Sequence, residues 1–93
     1  MIKSFKDKET EKVYNQIFSK KLPSEIQQRA LIKLLLIDNA ENENDFRIPP
    51  ANYYEHLKGD RKGESSIRIN KQWRICFKYK NGHCYDVSIE DYH

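Results

Sequence analysis

The chain is poor in the residues that punctuate or staple a protein: three glycines, three prolines and two cysteines in 93 residues. Cys76 and Cys84 alone cannot supply the disulfide framework of a small secreted domain, and no Cys-x-x-Cys pair occurs. His56, His83 and His93 are scattered, so no metal-ligand spacing emerges and neither a metal nor another cofactor is expected. So few glycines leave no glycine-rich phosphate loop, and neither a nucleophile elbow nor an internal repeat is found. No apolar run approaches the roughly 20 residues of a membrane span, and none at the N-terminus resembles a signal peptide. A cytoplasmic, membrane-free chain with reduced thiols is the expectation these absences leave.

What is abundant is charge, at 33% of residues, with a net value of only +3. Its placement is uneven. From His56 to Lys80 there are eight Lys or Arg against two acids, Asp60 and Glu64, a surplus of six over the window. A basic half on a nearly neutral chain is the footprint of a polyanionic partner, set against the plainer reading of a well-solvated surface. The length suits a single domain, residues 1–93, with one modest core.

The hydrophobic pattern predicts an α+β fold. "MIKSF" has the character of a short first strand. A helix capped near Asp7 follows, with Val13, Tyr14, Ile17 and Phe18 as its apolar stripe. "KKLPSEIQQRALIKLLLIDNA" predicts a second helix with a Ser24–Gln27 capping box. Its core face carries Ile26, Ala30, Leu34 and Ile37, widened by Leu31 and Leu35. The two helices form a hairpin packed on one face of a small, mostly antiparallel sheet. "DNAENENDFRIPPANYY" reads as loop, where Tyr53 and Tyr54 are expected to pack, and "KGDRKGE" as a turn entering the sheet.

Three alternating runs, "SSIRIN", "QWRICFKYK" and "HCYDVSIE", predict the strands. Between the last two, "NG" suggests a two-residue turn, but that register sets Phe77 opposite Asp86 and splits the apolar residues between faces. A three-residue loop, Lys80-Asn81-Gly82, pairs Phe77 with Tyr85 and Ile75 with Val87 and is preferred. It places Cys76 and Cys84 diagonally on one face, roughly 7–8 Å apart. The second face then displays Arg68, Arg74, Lys78, Asp86 and Glu90 without cover.

A sheet face lined with cations, and an ending Asp91-Tyr92-His93, point to phosphate chemistry. Cleaving RNA through the ribose 2′-hydroxyl requires a base, a cation on the pentavalent phosphate, an acid for the leaving oxygen, and in-line positioning. A histidine's ordinary pKa suits acid or base work, which makes His93 a candidate for either; Lys58 and Arg74 can hold charge, Tyr92 can stack or move a proton, and Asp91 can orient the histidine or act as base itself. Lys58, Arg61, Lys62, Arg68, Arg74 and Lys78 are the candidate RNA-binding cations. The bland alternative is an idle terminus beside a solvated face.

These residues stand in an ordered set: L-K-G-D-x-K-G, then S-I-x-I-N-x-Q-W-R-I-x-F, then N-G-x-x-Y-D-V, then a final D-Y-H. The set resembles the C-terminal half of the HigB-type toxins, the plasmid-maintenance killer proteins of the RelE/ParE superfamily. "IKSFKDKETEKVY" fits their opening strand and first helix, so the resemblance covers nearly the whole chain. It implies a RelE-like fold and a type II toxin that cleaves mRNA on the translating ribosome without a metal. A helix-turn-helix antitoxin of the HigA type would neutralise it, and operator DNA would be reached only through that antitoxin. It assigns catalytic roles to Lys58, Arg74, Asp91, Tyr92 and His93. One departure stands out: some members carry a histidine three residues before the motif lysine, where this chain has Glu55, with His56 one place later. Glu55 is the positional match and His56 the match by type, and both are weak candidates. A ParE-like gyrase inhibitor and a non-catalytic RNA-binding module are the competing functions.

Overall fold

The computed structural model describes residues 1–92. Helix α1 spans Lys8–Tyr14 and α2 spans Ser24–Asn39; strands β1 (Glu55–His56), β2 (Ser65–Arg68), β3 (Trp73–Lys80) and β4 (His83–Asp91) follow. The strands form one antiparallel sheet in the order β1-β2-β3-β4. The N-terminal segment runs parallel to β4 through isolated bridges, Ile2 to Cys84 and Phe5 to Val87, which is the form the expected first strand takes.

The α1 N-cap is as expected: the Asp7 carboxylate accepts the Thr10 amide at 2.7 Å, and Glu9 and Glu11 sit in the first turn, where the helix dipole favours them. The helix stops sooner than its apolar stripe suggested. Gln16 turns to φ +63°, and the Gln16 and Ile17 amides return to the Val13 and Lys12 carbonyls, a Schellman ending without its usual glycine. Ile17 and Phe18 therefore leave the stripe and stand exposed. The Ser24–Gln27 capping box does not form either, because Ser24 is already helical. Gln27 instead fastens the connecting loop, accepting the Ser19 amide and donating to the Ser19 and Leu22 carbonyls.

Along α2, Ile26, Ala30, Leu34 and Ile37 are buried as the spacing required, against Ile67, Ile69, Ile75, Phe77, Val87 and Ile89 of the sheet. The segment expected as plain loop contributes more than expected. Glu43–Arg47 and Pro50–Asn52 form 3-10 turns, and Phe46 is fully buried within 4.9–5.3 Å, ring to ring, of Phe77, Tyr79 and Tyr54. Five residues of 3-10 helix show no period that a sequence scan could detect.

The β3–β4 turn corrects the expected register. Lys80 pairs with His83 around a two-residue Asn81-Gly82 turn, both residues at positive φ, as the "NG" signal alone suggested. The facing conflict is resolved by a bulge: pairing shifts between Lys78–Tyr85 and Cys76–Ser88, with Asp86 at φ +52° as the extra residue. Tyr79 and Cys84 near the turn, and Ile75 and Ile89 beyond the bulge, then pair within the core. The bulge also fits the N-terminal segment, since the Asp86 amide donates to Ser4 Oγ. One consequence is that the cysteines do not share a face. Cys84 packs in the core toward the Ile37 carbonyl, while Cys76 lies beside Arg61 and Glu90 on the second face. Burial raises both thiols, Cys76 to about 11 and Cys84 to about 12, so both remain protonated and poor nucleophiles.

The second face is not bare. Ser66, Cys76 and Ser88 form a buried row of small residues across β2, β3 and β4, and the segment 57–64 is tied over that face through Arg61. Strand alternation identifies the face a residue occupies; what covers that face comes from far along the chain.

Candidate active site

Arg74 is the hub of the next row, between Arg68 and Glu90. It is 5% exposed. Its Nε donates to Ser66 Oγ at 2.8 Å and its Nη2 to the Tyr53 carbonyl at 2.6 Å. Nη2 also lies 3.7 Å from the Glu55 carboxylate. The Tyr53 carbonyl is aimed at Arg74 by a left-handed backbone, φ +46°, which is uncommon for a bulky residue; such strain clusters at functional sites. The Tyr92 ring lies 5.1 Å from the Arg74 guanidinium carbon, and the Tyr92 hydroxyl donates to Glu55 at 3.2 Å. Arg74, Glu55 and Tyr92 thus form a closed trio at one end of the sheet.

Asp91 and Tyr92 are held, not merely nearby. The Tyr92 amide donates to the Gln72 carbonyl at 2.6 Å, and Gln72 Nε2 donates to Asp91 at 3.1 Å. Gln72, Tyr53 and Ser66 were missed as site-building residues; Gln72 alone had a signal, its place directly before the Trp73-Arg74 pair. His93 lies outside the described residues.

The other candidates separate. His56 and Glu55 point to opposite sides of β1, as neighbours on a strand do. His56 turns to Ser65 Oγ (3.1 Å) and Glu43 (3.0 Å) beside the Tyr54 ring, away from the trio. Lys58 precedes the Gly59–Arg61 turn and is exposed, as is Lys62 after it. Lys78 pairs with Asp86 at 3.3 Å, and Arg68 lies 4.2 Å over the Tyr53 ring. Arg61 is committed to carboxylates: it forks to both oxygens of Glu90 at 2.6 and 2.7 Å and to both of Glu64 at 3.1 and 2.8 Å. Those Arg61 bonds, helped by the Ser88 hydroxyl and working against burial, bring Glu90 down to about 2. The same guanidinium lowers Glu64 and is itself raised, so it stays charged. Among the described residues, no group of three or more His, Cys, Asp or Glu could hold a metal ion.

Two helices on one face of a small antiparallel sheet form an α+β fold, with the buried Arg74 at the end of that sheet. YafQ from Escherichia coli has the same fold: a point mutant superposes with a TM-score of 0.66 over 98% of this chain and 91% of that one, at 13% identity. A family model described as the RelE-like toxin of type II toxin-antitoxin system HigB matches residues 3–93, and the chain belongs to this HigB-like family. It is 45% identical over 83 residues to "Toxin HigB-1" of Vibrio cholerae, covering 88% of this chain and 87% of that protein. It is 35% identical over 98 residues to "Endoribonuclease HigB" of Proteus vulgaris, with both chains fully covered. As a type II toxin, it has an antitoxin for a partner.

Proposed function

We propose that this chain is a cytoplasmic, ribosome-dependent endoribonuclease that cuts mRNA during translation without a metal. In this reading residues 1–93 act as one toxin domain, neutralised by a HigA-type helix-turn-helix antitoxin through which the pair reaches operator DNA. The observation that carries the reading is the Arg74–Glu55–Tyr92 trio. Arg74 is fixed by Ser66 and the Tyr53 carbonyl, so its guanidinium is organised before substrate arrives; its described hydrogen bonds use Nε and Nη2, leaving Nη1 for a phosphate oxygen. A preorganised cation of this kind stabilises the pentavalent phosphate more than the ground state. Tyr92 offers a ring for base stacking, and its hydroxyl touches the Glu55 carboxylate, which in this reading accepts the 2′-hydroxyl proton. Asp91 and His93 complete the proton-handling ending, and Lys58 on its exposed turn adds positive charge toward the RNA. Arg61, closed by two carboxylates, holds the Lys58 segment to the sheet, whereas Lys62, Arg68 and Lys78 remain candidates for the wider RNA surface.

The test is expression in bacteria of the wild type, a form lacking Asp91–His93, and Arg74→Ala, followed by mapping of mRNA ends. Growth arrest with cuts inside translated codons is expected for the wild type alone, with both variants still binding the antitoxin. Equal toxicity of the truncated form contradicts the reading. Arrest with broken DNA and intact mRNA indicates a gyrase poison instead.

A further inference from the structure

A second cationic centre lies outside the trio. A pocket of about 300 Å³ opens between α2 and the end of β2, lined by Arg29, Ile32, Lys33, Ala51, Arg68 and Ile69. Three of the six are cations and none is an acid. Arg29 and Lys33 are one helical turn apart, so their side chains leave α2 together, and Arg68 meets them from the sheet. The polar partners described for the three are neutral. Arg29 donates to the Ile69 carbonyl at a long 3.4 Å, Lys33 donates to the Asn52 side-chain oxygen, and Arg68 rests on the Tyr53 ring. Burial, and then the charge of Arg29, lower the Lys33 ammonium, as expected where like charges meet without a counter-anion. Elsewhere in this protein crowded charge is neutralised, as in Arg61 with Glu64 and Glu90, or Lys78 with Asp86. Here the compensating anion is missing from the chain's own described residues.

We propose that this pocket is a phosphate subsite for the RNA backbone, one that receives a phosphate other than the one being cleaved. Tyr53 links it to the active site: its carbonyl accepts from Arg74 while its ring carries Arg68. A strand with its reacting phosphate at Arg74 therefore crosses Tyr53 to reach a second phosphate held by Arg68, Arg29 and Lys33. A carboxylate of the antitoxin has similar charge, but this continuity with Arg74 favours RNA. Sequence reading did not reach Arg29 or Lys33, because both lie on the helix and outside the basic window.

The inference rests on the endoribonuclease reading, and its test keeps the two apart. A fluorescent 2′-O-methyl RNA 20-mer, which cannot be cleaved for lack of a free 2′-hydroxyl, is titrated by anisotropy across a salt series. The proteins compared are the wild type, Arg29→Gln/Lys33→Gln, Arg29→Gln alone, and a control of equal charge loss, Lys20→Gln/Lys21→Gln. Arg29→Gln alone guards against misfolding, since it leaves the Lys33–Asn52 contact in place. Losing one phosphate contact lowers the slope of log Kd against log salt by about 0.7. That drop, with roughly three- to tenfold weaker binding, is expected for both pocket variants and not for the control. Equal drops in pocket variants and control, or no drop in any, overturn the subsite, as does lost antitoxin binding with unchanged RNA binding. Failure of the endoribonuclease reading shows separately, as translated mRNA left intact by the wild type.

Discussion

At the scale of single residues, Tyr92 shows how two contributions of one side chain can be separated. Its ring lies against Arg74 and its hydroxyl against Glu55. Stacking of a base on an aromatic ring is worth about 1–3 kcal/mol, so Tyr92→Ala is expected to slow mRNA cleavage by about 5- to 150-fold. Tyr92→Phe keeps the ring and removes one exposed hydrogen bond of about 1 kcal/mol, so a loss below about tenfold is expected. Single-turnover cleavage on programmed ribosomes measures both; a Phe variant as impaired as Ala would place the hydroxyl, and not the ring, at the centre of the chemistry. Of the residues that the structure brings together, Arg74 and Tyr92 were singled out in the sequence by the ordered motifs Q-W-R and D-Y-H, and Glu55 only as a weak match by position. Their arrangement was not legible there. Arg74 was expected on an open face and is instead buried, since its cover, the Tyr53 carbonyl, lies 21 residues away. The separation of Glu55 from His56 did follow from the sequence, because opposite facing is a local property of a strand.

At the scale of elements, hydrophobic period identified both helices and the three main strands, and failed where a local device overrode it. Helix α1 ends at a left-handed Gln16, a conformation that costs a residue bearing a Cβ about 1–2 kcal/mol. Gln16→Gly relieves that cost while adding backbone freedom to the unfolded chain. A net gain of about 0.5–1 kcal/mol is expected in urea unfolding. The bulge at Asp86 explains why the register was misjudged: a strand read as perfectly alternating has no place for an extra residue. Between loop and strand, the Arg61–Glu90 fork predicts a pH dependence. Glu90 titrates at about 2 in the fold against an ordinary 4.5, so its contribution is fully present above about pH 4.5 and is lost as pH falls toward 2. Glu90→Gln is expected to cost about 1–3 kcal/mol at pH 7, the exposed part of the pair being screened. Thermal melts from pH 7 down to 2 should show the gap closing in that window; a gap independent of pH would mean that the pair is not the source.

At the scale of the whole molecule, the chain packs its apolar mass on one face of the sheet and binds its charge into networks on the other. Among the described residues, the Arg29–Lys33–Arg68 pocket has no acid in its lining, whereas Arg74 has the Glu55 carboxylate at 3.7 Å. The regional surplus of positive charge was visible in the sequence, but it overstated the free surface, because Arg61 and Lys78 are paired within the fold. The most direct measurement of the central claim uses a purified translation system with one defined mRNA, the 5′ ends of the products being mapped with ribosomes translating, with ribosomes omitted, and with the form lacking Asp91–His93. The account predicts cuts inside the reading frame only when ribosomes translate and the chain ends in Asp91-Tyr92-His93. Equal cutting by the truncated form, or an mRNA left whole by the full chain on translating ribosomes, would contradict it.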